Sequence, residues 1–457
     1  MYVKSVKLEN LKGFPALYFN LERPDGSYSG WTVFLGGNAS GKSTLLKCIA
    51  LALLGPTNAT RLLGAPVGWI RDRAKRTEIS VQLERAKDSD TFVKRRGGPP
   101  ESIEAALRIF FPDAETESSG GSAPADAPAS LPALRAVERR VKDTRIRDAE
   151  TGPWNQNARG WFCCGYGPMR RLSGHSTESI RIAAGDNRLA RFVTLFREDA
   201  ALSESERWLT TNHSRLLEAK AEKRDDASEL TKLLDGVHSL INDDLLPHGM
   251  VISRVTVDHV YVKDGRSIEL PMRDISDGCR SIYATVLDLV HSMAEAYGAD
   301  NLFATSENGR VIINHPGVVL IDEIEAHLHP AWQRDIPQWL KVHFPRVQFL
   351  VGTHSPLVAQ AVDPGGAFLL PSPTDRAREP RRLDDNEVEK LRLGQALKTL
   401  LGTAFGLDNT RSHWANAQIQ NWKRIKARKE AGEIFTKQEQ HEYDKLHEQM
   451  SFALSIE

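Results

Sequence analysis

The sequence predicts an α/β fold: a mixed or parallel sheet flanked by helices, with a short helical insertion and a helical C-terminal tail. Three observations carry that expectation. Gly36-Gly37-Asn38-Ala39-Ser40-Gly41-Lys42-Ser43 fits the phosphate-loop pattern G-x-x-x-x-G-K-[ST] at each fixed position, with Thr44 directly after it. Thr32-Val33-Phe34-Leu35 runs into this loop as a buried strand, and Leu45, Leu46, Ile49, Ala50 and Leu53 follow it at helical spacing. Two more apolar runs, over 317–323 and 347–353, read as strands covered on both faces. Between strand and helix, glycines let successive backbone N–H groups turn inward around a polyphosphate. Lys42 would reach the β- and γ-phosphates of a nucleoside triphosphate, and the Ser43 hydroxyl would hold Mg²⁺.

The bulk composition narrows the class. A chain of 457 residues is longer than one hydrophobic core usually supports, so two or three lobes are expected. The 60 basic residues balance 60 acidic ones, so any DNA contact must come from a local patch or a partner. Cys48, Cys163, Cys164 and Cys279 show no C-x-x-C spacing; neither zinc nor disulfides are indicated, and a reducing cytoplasm fits best. No apolar run reaches the ~18 residues of a membrane span, and Met1-Tyr2-Val3-Lys4 lacks a secretory core, so no membrane association is expected.

Residues 1–60 form the first part of the predicted head. Val6 and Leu8 alternate with Lys7, Asn10-Leu11-Lys12-Gly13-Phe14 reads as a turn, and Leu17, Phe19 and Leu21 alternate with polar or smaller residues, so short strands should precede the loop. Gly55-Pro56 is expected to stop the helix after it. Segment 61–186 reads as strand-rich, with strands over Thr77–Leu83 and near Thr91-Phe92-Val93, and a disordered loop near 112–133 set by its Pro, Gly, Ser and Ala content. A basic stretch (Arg139, Arg140, Lys142, Arg145, Arg147) leads to Trp161–Pro168, a buried strand ending in a sharp turn, with Arg170 and Arg171 beyond it. Segment 187–246 is helical: a Ser203-x-x-Glu206 capping box opens a helix with Trp208, Leu209, Leu216 and Leu217, and Leu230, Leu233, Leu234, Val237, Leu240 and Ile241 follow a charged run. At most this makes a hairpin about 40 Å long, not a long coiled-coil arm. Segment 247–375 returns to strands over 251–270, turning at Gly265, and completes the head. Segment 376–457 is a charged helical tail, with a second capping box at Thr436-x-x-Glu439 ahead of Tyr443, Leu446 and Met450.

The chemistry gathers at three further places. Gly317-Val318-Val319-Leu320-Ile321-Asp322-Glu323 is an apolar strand ending in two carboxylates: Asp322 is placed to hold the Mg²⁺ shell and Glu323 to act as general base on the attacking water. Val347–Ser355 is a neighbouring strand ending in His354, placed to contact a γ-phosphate or that water. Asp274-Ile275-Ser276-Asp277-Gly278-Cys279-Arg280 opens a helix carrying Ile282, Val286, Leu287, Leu289 and Val290, with Ser276 as an N-cap type residue at an anion-attracting helix start.

In this order the pieces resemble the P-loop ABC-type ATPase heads of the SMC, RecF and OLD group, over roughly residues 1–60 and 250–370. Ile275-Ser276-Asp277-Gly278 is similar to the group's signature, Glu325-Ala326-His327-Leu328-His329-Pro330 to its D-loop, and His354 to its switch histidine. Cys279 stands where the group often has Glu or Gln, and Gln82 and the turn around Tyr166 both remain candidates for its Q-loop. Tyr166–Arg171, Phe196–Ala200 and the charged tail resemble the compact ATPases of bacterial anti-phage systems, the Septu type in particular. The resemblance implies a homodimer or higher oligomer, each ATP lying between the Walker motifs of one subunit and Ser276-Asp277-Gly278 of the other. It further implies a separate effector subunit, an HNH-type nuclease being suspected.

Two rival readings stay open: a RecF-type DNA-repair or DNA-tethering ATPase without an effector, and the motor of a transporter. The residues after Ser355 contain no strand-ended carboxylate set of the kind a Toprim nuclease uses, Asp384-Asp385 being in a polar, non-strand context, so any nuclease is expected on another chain. Glu325, His327 and His329 as a metal cluster, Cys163-Cys164 as reactive thiols, and Trp422 with Lys423–Lys429 as a nucleic-acid contact are weaker alternatives to packed or solvated roles, whereas Arg170-Arg171 reads equally as a phosphate-sensing or DNA-contacting pair and as an ordinary surface pair.

Overall fold

The computed structural model describes residues 1–93, 98–112, 131–137, 144–170, 179, 181–182, 185–372, 379–394, 413–431, 435–441 and 443–444. Most of the loop expected near 112–133, with Arg139, Arg140, Lys142, Arg171, Leu446 and Met450, lies outside them. The chain divides into two compact units, Met1–Gly394 and Gln395–Glu457.

In chain order, β1 (Tyr2–Leu11), β2 (Phe14–Asn20) and β3 (Gly30–Leu35) lead into α1 (Lys42–Leu63); β4 (Thr77–Glu84), β5 (Ser102–Phe110), β6 (Ala133–Ala136), α2 (Thr144–Thr151) and β7 (Cys163–Tyr166) follow. Short helical turns at Asn187–Ala190 and Val193–Phe196 precede a hairpin of α3 (Ser203–Glu222) and α4 (Ala227–Ile241). A meander of β8 (Val251–Val255), β9 (Val260–Lys263) and β10 (Glu269–Pro271) reaches α5 (Asp277–Tyr297). Then come β11 (Ala304–Thr305), β12 (Val311–Ile312), β13 (Gly317–Asp322), α6 (Pro330–His343), β14 (Val347–Gly352), β15 (Ala367–Leu369), β16 (Arg381–Arg382) and α7 (Asp385–Leu393).

Two large sheets share this unit with the β8–β10 meander and the β11–β12 pair. One is antiparallel, in the order β2-β1-β4-β5-β6; the other runs β16-β15-β3-β14-β13-β7 and is parallel except at its β15–β16 edge. β13 and β14 are buried at every residue and β3 at all but its first, as strands covered on both faces must be. Their register pairs Gly317 with Val347 and Asp322 with Gly352, while Gly352 also pairs with Phe34 of β3. Three parallel strands therefore end together, and the loops leaving them (36–41, 323–329 and 353–355) crowd one rim, where open α/β sheets place ligands. Helix α1 packs into a single apolar core that includes Val6, Leu8, Ile79, Val81 and Leu107 of the antiparallel sheet and Val318, Leu320 and Leu350 of the parallel one. Gln348, the one polar side chain within the β14 run, is fully buried and satisfied: it accepts from Val3 N (2.7 Å) and donates to Val3 O (2.9 Å), which stitches β14 to β1.

Several expectations change. Gly55-Pro56 kinks α1 without ending it: Gly55 takes φ 78°, Pro56 starts the next helical turn where its missing N–H costs nothing, and Trp154 packs onto the glycine with its Nε1 donating to Ala52 O (2.8 Å). Thr91-Phe92-Val93 is not a strand, because its backbone N–H groups go to Arg159 O and Thr151 O and not to a ladder. At α3, Leu202 holds the N-cap position and Ser203 is already inside the helix, so the expected capping box is absent there. Asp384, in contrast, caps α7 reciprocally with Glu387.

In the second unit α8 (His413–Glu430) buries Ile419, Trp422 and Ile425 against Phe435 and Tyr443. The Thr436–Glu439 capping box is formed, Glu439 N donating to Thr436 Oγ1 (3.2 Å) and Thr436 N to Glu439 Oε2 (2.9 Å). Lys426 and Lys429 lie over the Trp422 and Tyr443 rings. No helix among the described residues is long and apolar enough to cross a membrane.

Candidate functional site

The loop after β3 needs backbone that ordinary residues resist. Gly41 takes φ 98°, and a Cβ there would lie 2.4 Å from the Phe14 ring, so only glycine fits. Ala39 is held at φ 62°. Helix α1 then begins without a side-chain cap and without an acidic residue in its first turn, leaving its first N–H groups available to an anion. Asn38 to Thr44 line a cavity of about 460 Å³ together with Glu323 and His354. Lys42 is nearly fully buried, and its Nζ donates to Gly36 O (2.8 Å) and Gly37 O (3.1 Å). Burial pulls its pKa down, against the opposing pull of Asp322, Glu323 and Glu325.

Burial raises the pKa of Asp322, the last residue of β13, and the nearby Ser43 hydroxyl opposes that shift. Its Oδ1 is buried and has no hydrogen-bond partner. An orphaned buried carboxylate oxygen beside a hydroxyl is the donor set that a hard divalent cation takes, so Ser43 and Asp322 fit Mg²⁺. Glu323 follows at φ 48°, a left-handed conformation costly for a non-glycine residue and typical of functional sites. Its N–H donates to Gly352 O (2.8 Å). Burial lowers the pKa of His354, Lys42 lowers it further, and the nearby carboxylates counter both.

The structure thus brings together Asn38, Ala39, Ser40, Gly41, Lys42, Ser43, Thr44, Asp322, Glu323 and His354, with Gly36 and Gly37 holding the lysine. It does not bring Ser276, Asp277 or Gly278 to the same cavity. Ser276 sits at the N-cap of α5, but its hydroxyl turns to Cys279 Sγ (3.0 Å) and caps nothing. Ser276 and Asp277 are exposed, while Gly278 is buried against the D-loop, where a Cβ would lie 2.4 Å from His327 O.

Arg170 is the residue that sequence patterning misplaces. It is no surface cation: it is buried, and its guanidinium donates to Gly167 O (2.8 Å) and to Asp322 O, Glu323 O and Ile324 O (3.1 Å each). Burial brings its pKa down to about 10 against the pull of Glu325, Asp322 and Glu323. It holds the backbone that carries both carboxylates. The only sequence signal for this was its place just past the strand that pairs with β13. Gln82 lies in the antiparallel sheet, accepting from Ser102 Oγ (3.4 Å), whereas the Tyr166 turn adjoins β13. His329 accepts from Ala331 N at the start of α6, and among the described residues no three His, Cys, Asp or Glu side chains form a metal-holding group. Burial raises the pKa of the Cys163 thiol to about 11 and that of Cys164 well above its ordinary value, which suits packed cysteines.

Fold and site together define a P-loop α/β head of the ATPase class. Residues 5–148 match the family "AAA domain", and residues 173–359 match "AAA domain, putative AbiEii toxin, Type IV TA system". The chain is 25% identical over 416 residues to the retron Ec83 probable ATPase of Escherichia coli, covering 80% of this chain and 71% of that protein. It is 22% identical over 374 residues to the Septu protein PtuA of Bacillus mycoides (strain KBAB4), covering 81% of this chain but 40% of that protein. Among solved structures, the Smc head domain of Pyrococcus furiosus aligns over 85% of this chain and 98% of its own with a TM-score of 0.43 and 14% identity.

Proposed function

We propose that this protein binds and hydrolyses ATP with Mg²⁺, that two copies share each nucleotide, and that the shared state regulates a separate effector, an HNH-type nuclease, in bacterial defence against phage. The observation that carries the reading is the separation within one chain: Asn38 to Thr44, Glu323 and His354 line a cavity of about 460 Å³, while Ser276 and Asp277 stand exposed at a helix start outside it. A second copy would supply those groups to the open side of the nucleotide. The names of the retron and Septu relatives support the defence setting and nothing more specific.

In this reading the phosphates displace Lys42 Nζ from Gly36 O and Gly37 O, and the N–H groups opening α1 take the phosphate oxygens. Mg²⁺ on Ser43 and Asp322 would neutralise charge developing on the transferred phosphoryl group. Glu323, at the cavity wall, takes a proton from the attacking water, and His354 orients the γ-phosphate or that water. ATP-dependent closure arises from contacts made only in the shared state, and hydrolysis removes them. Glu323→Gln is expected to bind ATP, lose turnover by about 100-fold or more, and accumulate the closed form. Wild-type turnover in that variant would remove Glu323 as the base.

A further inference from the structure

His354 lies on a loop, and a loop side chain positions a reacting group only if its backbone is held. The holding group here comes from the segment after β13. Glu325 Oε1 accepts from His354 N (2.5 Å) and from Ser355 N (3.1 Å), so one carboxylate oxygen binds two successive backbone donors at the end of β14. Its other oxygen, Oε2, is buried and without a hydrogen-bond partner among the described residues, so the hydrogen bonds this carboxylate accepts all come from this one turn. A second bridge runs beside it: Ser355 Oγ donates to Gln333 Oε1 (2.7 Å), and Gln333 Nε2 donates to Leu328 O (2.9 Å).

The same segment, 323–329, is fixed at both flanks. Arg170 holds its start through Glu323 O and Ile324 O. Gly278, two residues beyond the exposed Ser276, packs on His327 O. His327 is itself at φ 67°, a left-handed position in which the chain has little freedom to relax.

We propose that Glu325 is a positioning residue for nucleotide hydrolysis: its carboxylate sets the backbone of His354, and so couples this histidine to the segment against which the Ser276 helix packs. The proposal rests on the ATPase reading above. It adds that a displacement of α5 at Gly278 reaches His354 through Glu325 without passing through the P-loop.

The test uses the full chain and ATP with Mg²⁺, comparing wild type, Glu325→Ala, Glu325→Gln and Gln333→Ala for nucleotide Kd, kcat and KM, with thermal unfolding run alongside. Glu325→Ala is expected to keep ATP Kd and KM within about threefold of wild type while kcat falls by about 100-fold, the cost of misplacing a group by roughly 1 Å. Glu325→Gln retains an acceptor oxygen for both N–H groups and should recover most of kcat; Gln333→Ala should lose about tenfold or less, as one remaining bridge still holds the loop. Wild-type kcat in Glu325→Ala would overturn the proposal. So would equal losses of binding and kcat in Ala and Gln, which would mark Glu325 as general packing. A wild-type protein that neither binds nor hydrolyses ATP would instead sink the ATPase reading itself, so the two failures are distinguishable.

Discussion

The P-loop end and the Ser276 end of this head are built on opposite plans. At the P-loop, polar groups are enclosed: Lys42 and Asp322 are buried at 5% and 2% exposure, the lysine is bonded to its own loop, and strained backbone at Ala39 and Glu323 is held in place by the sheet. At the other end Ser276 and Asp277 face outward, Asp277 pairs among the described residues with Arg280 one helical turn on, and the Ser276 hydroxyl is spent on a thiol. Enclosed groups cost free energy to desolvate and are retained where a ligand repays it; exposed groups at an uncapped helix start gain a partner only from outside the chain. The difference is the one expected if, as proposed, one half of the site is preorganised and a second copy completes the other.

Substitutions can break this contrast from either side. The largest effect is expected from Lys42→Ala, which removes the cation aimed at the phosphates and should abolish ATP binding in a fluorescent-nucleotide titration, lowering affinity by about 100-fold or more. Affinity unchanged in that variant would mean the enclosed end is not the nucleotide site. Ser276→Arg is expected to leave nucleotide affinity within about threefold and reduce turnover by about tenfold to 100-fold, because it blocks only the contact made across the two copies. Equal losses of affinity and turnover would instead place Ser276 on its own chain's nucleotide. The smallest effect sharpens the comparison: Gly278→Ala should destabilise the nucleotide-free protein by about 1–3 kcal/mol in denaturant titrations, since its Cβ meets the rigid His327 carbonyl.

Legibility in the sequence divided along the same line. The parallel strands were readable because six-residue apolar runs ending in Asp322-Glu323 or Gly352-Thr353-His354 are rare outside a doubly covered sheet. β5 carries a period-2 signal, Ile103, Ala105, Leu107 and Ile109 alternating with Glu104 and Arg108, although no strand was expected at that position. The phosphate-facing residues could be named from spacing alone, since the loop, its lysine and its hydroxyl are contiguous. Arg170, Glu325 and Gln333 could not, because each bonds a group 22 to 154 positions away, and no local period encodes such a contact. Ser276 was legible as a helix start; that it would cap nothing required the Cys279 thiol to be seen beside it.

The central claim, that two copies complete one site, is tested most directly by mixing the Lys42→Ala and Ser276→Arg proteins, each at about a tenth of wild-type activity or less alone, and measuring ATP turnover. A mixed pair carries one intact site: the P-loop of the Ser276→Arg copy facing the Ser276 of the Lys42→Ala copy. The account predicts recovery to about a quarter of wild-type turnover after equal mixing, because half of freely exchanged pairs are mixed and each has one working site. A mixture that stays no more active than its two components would contradict it.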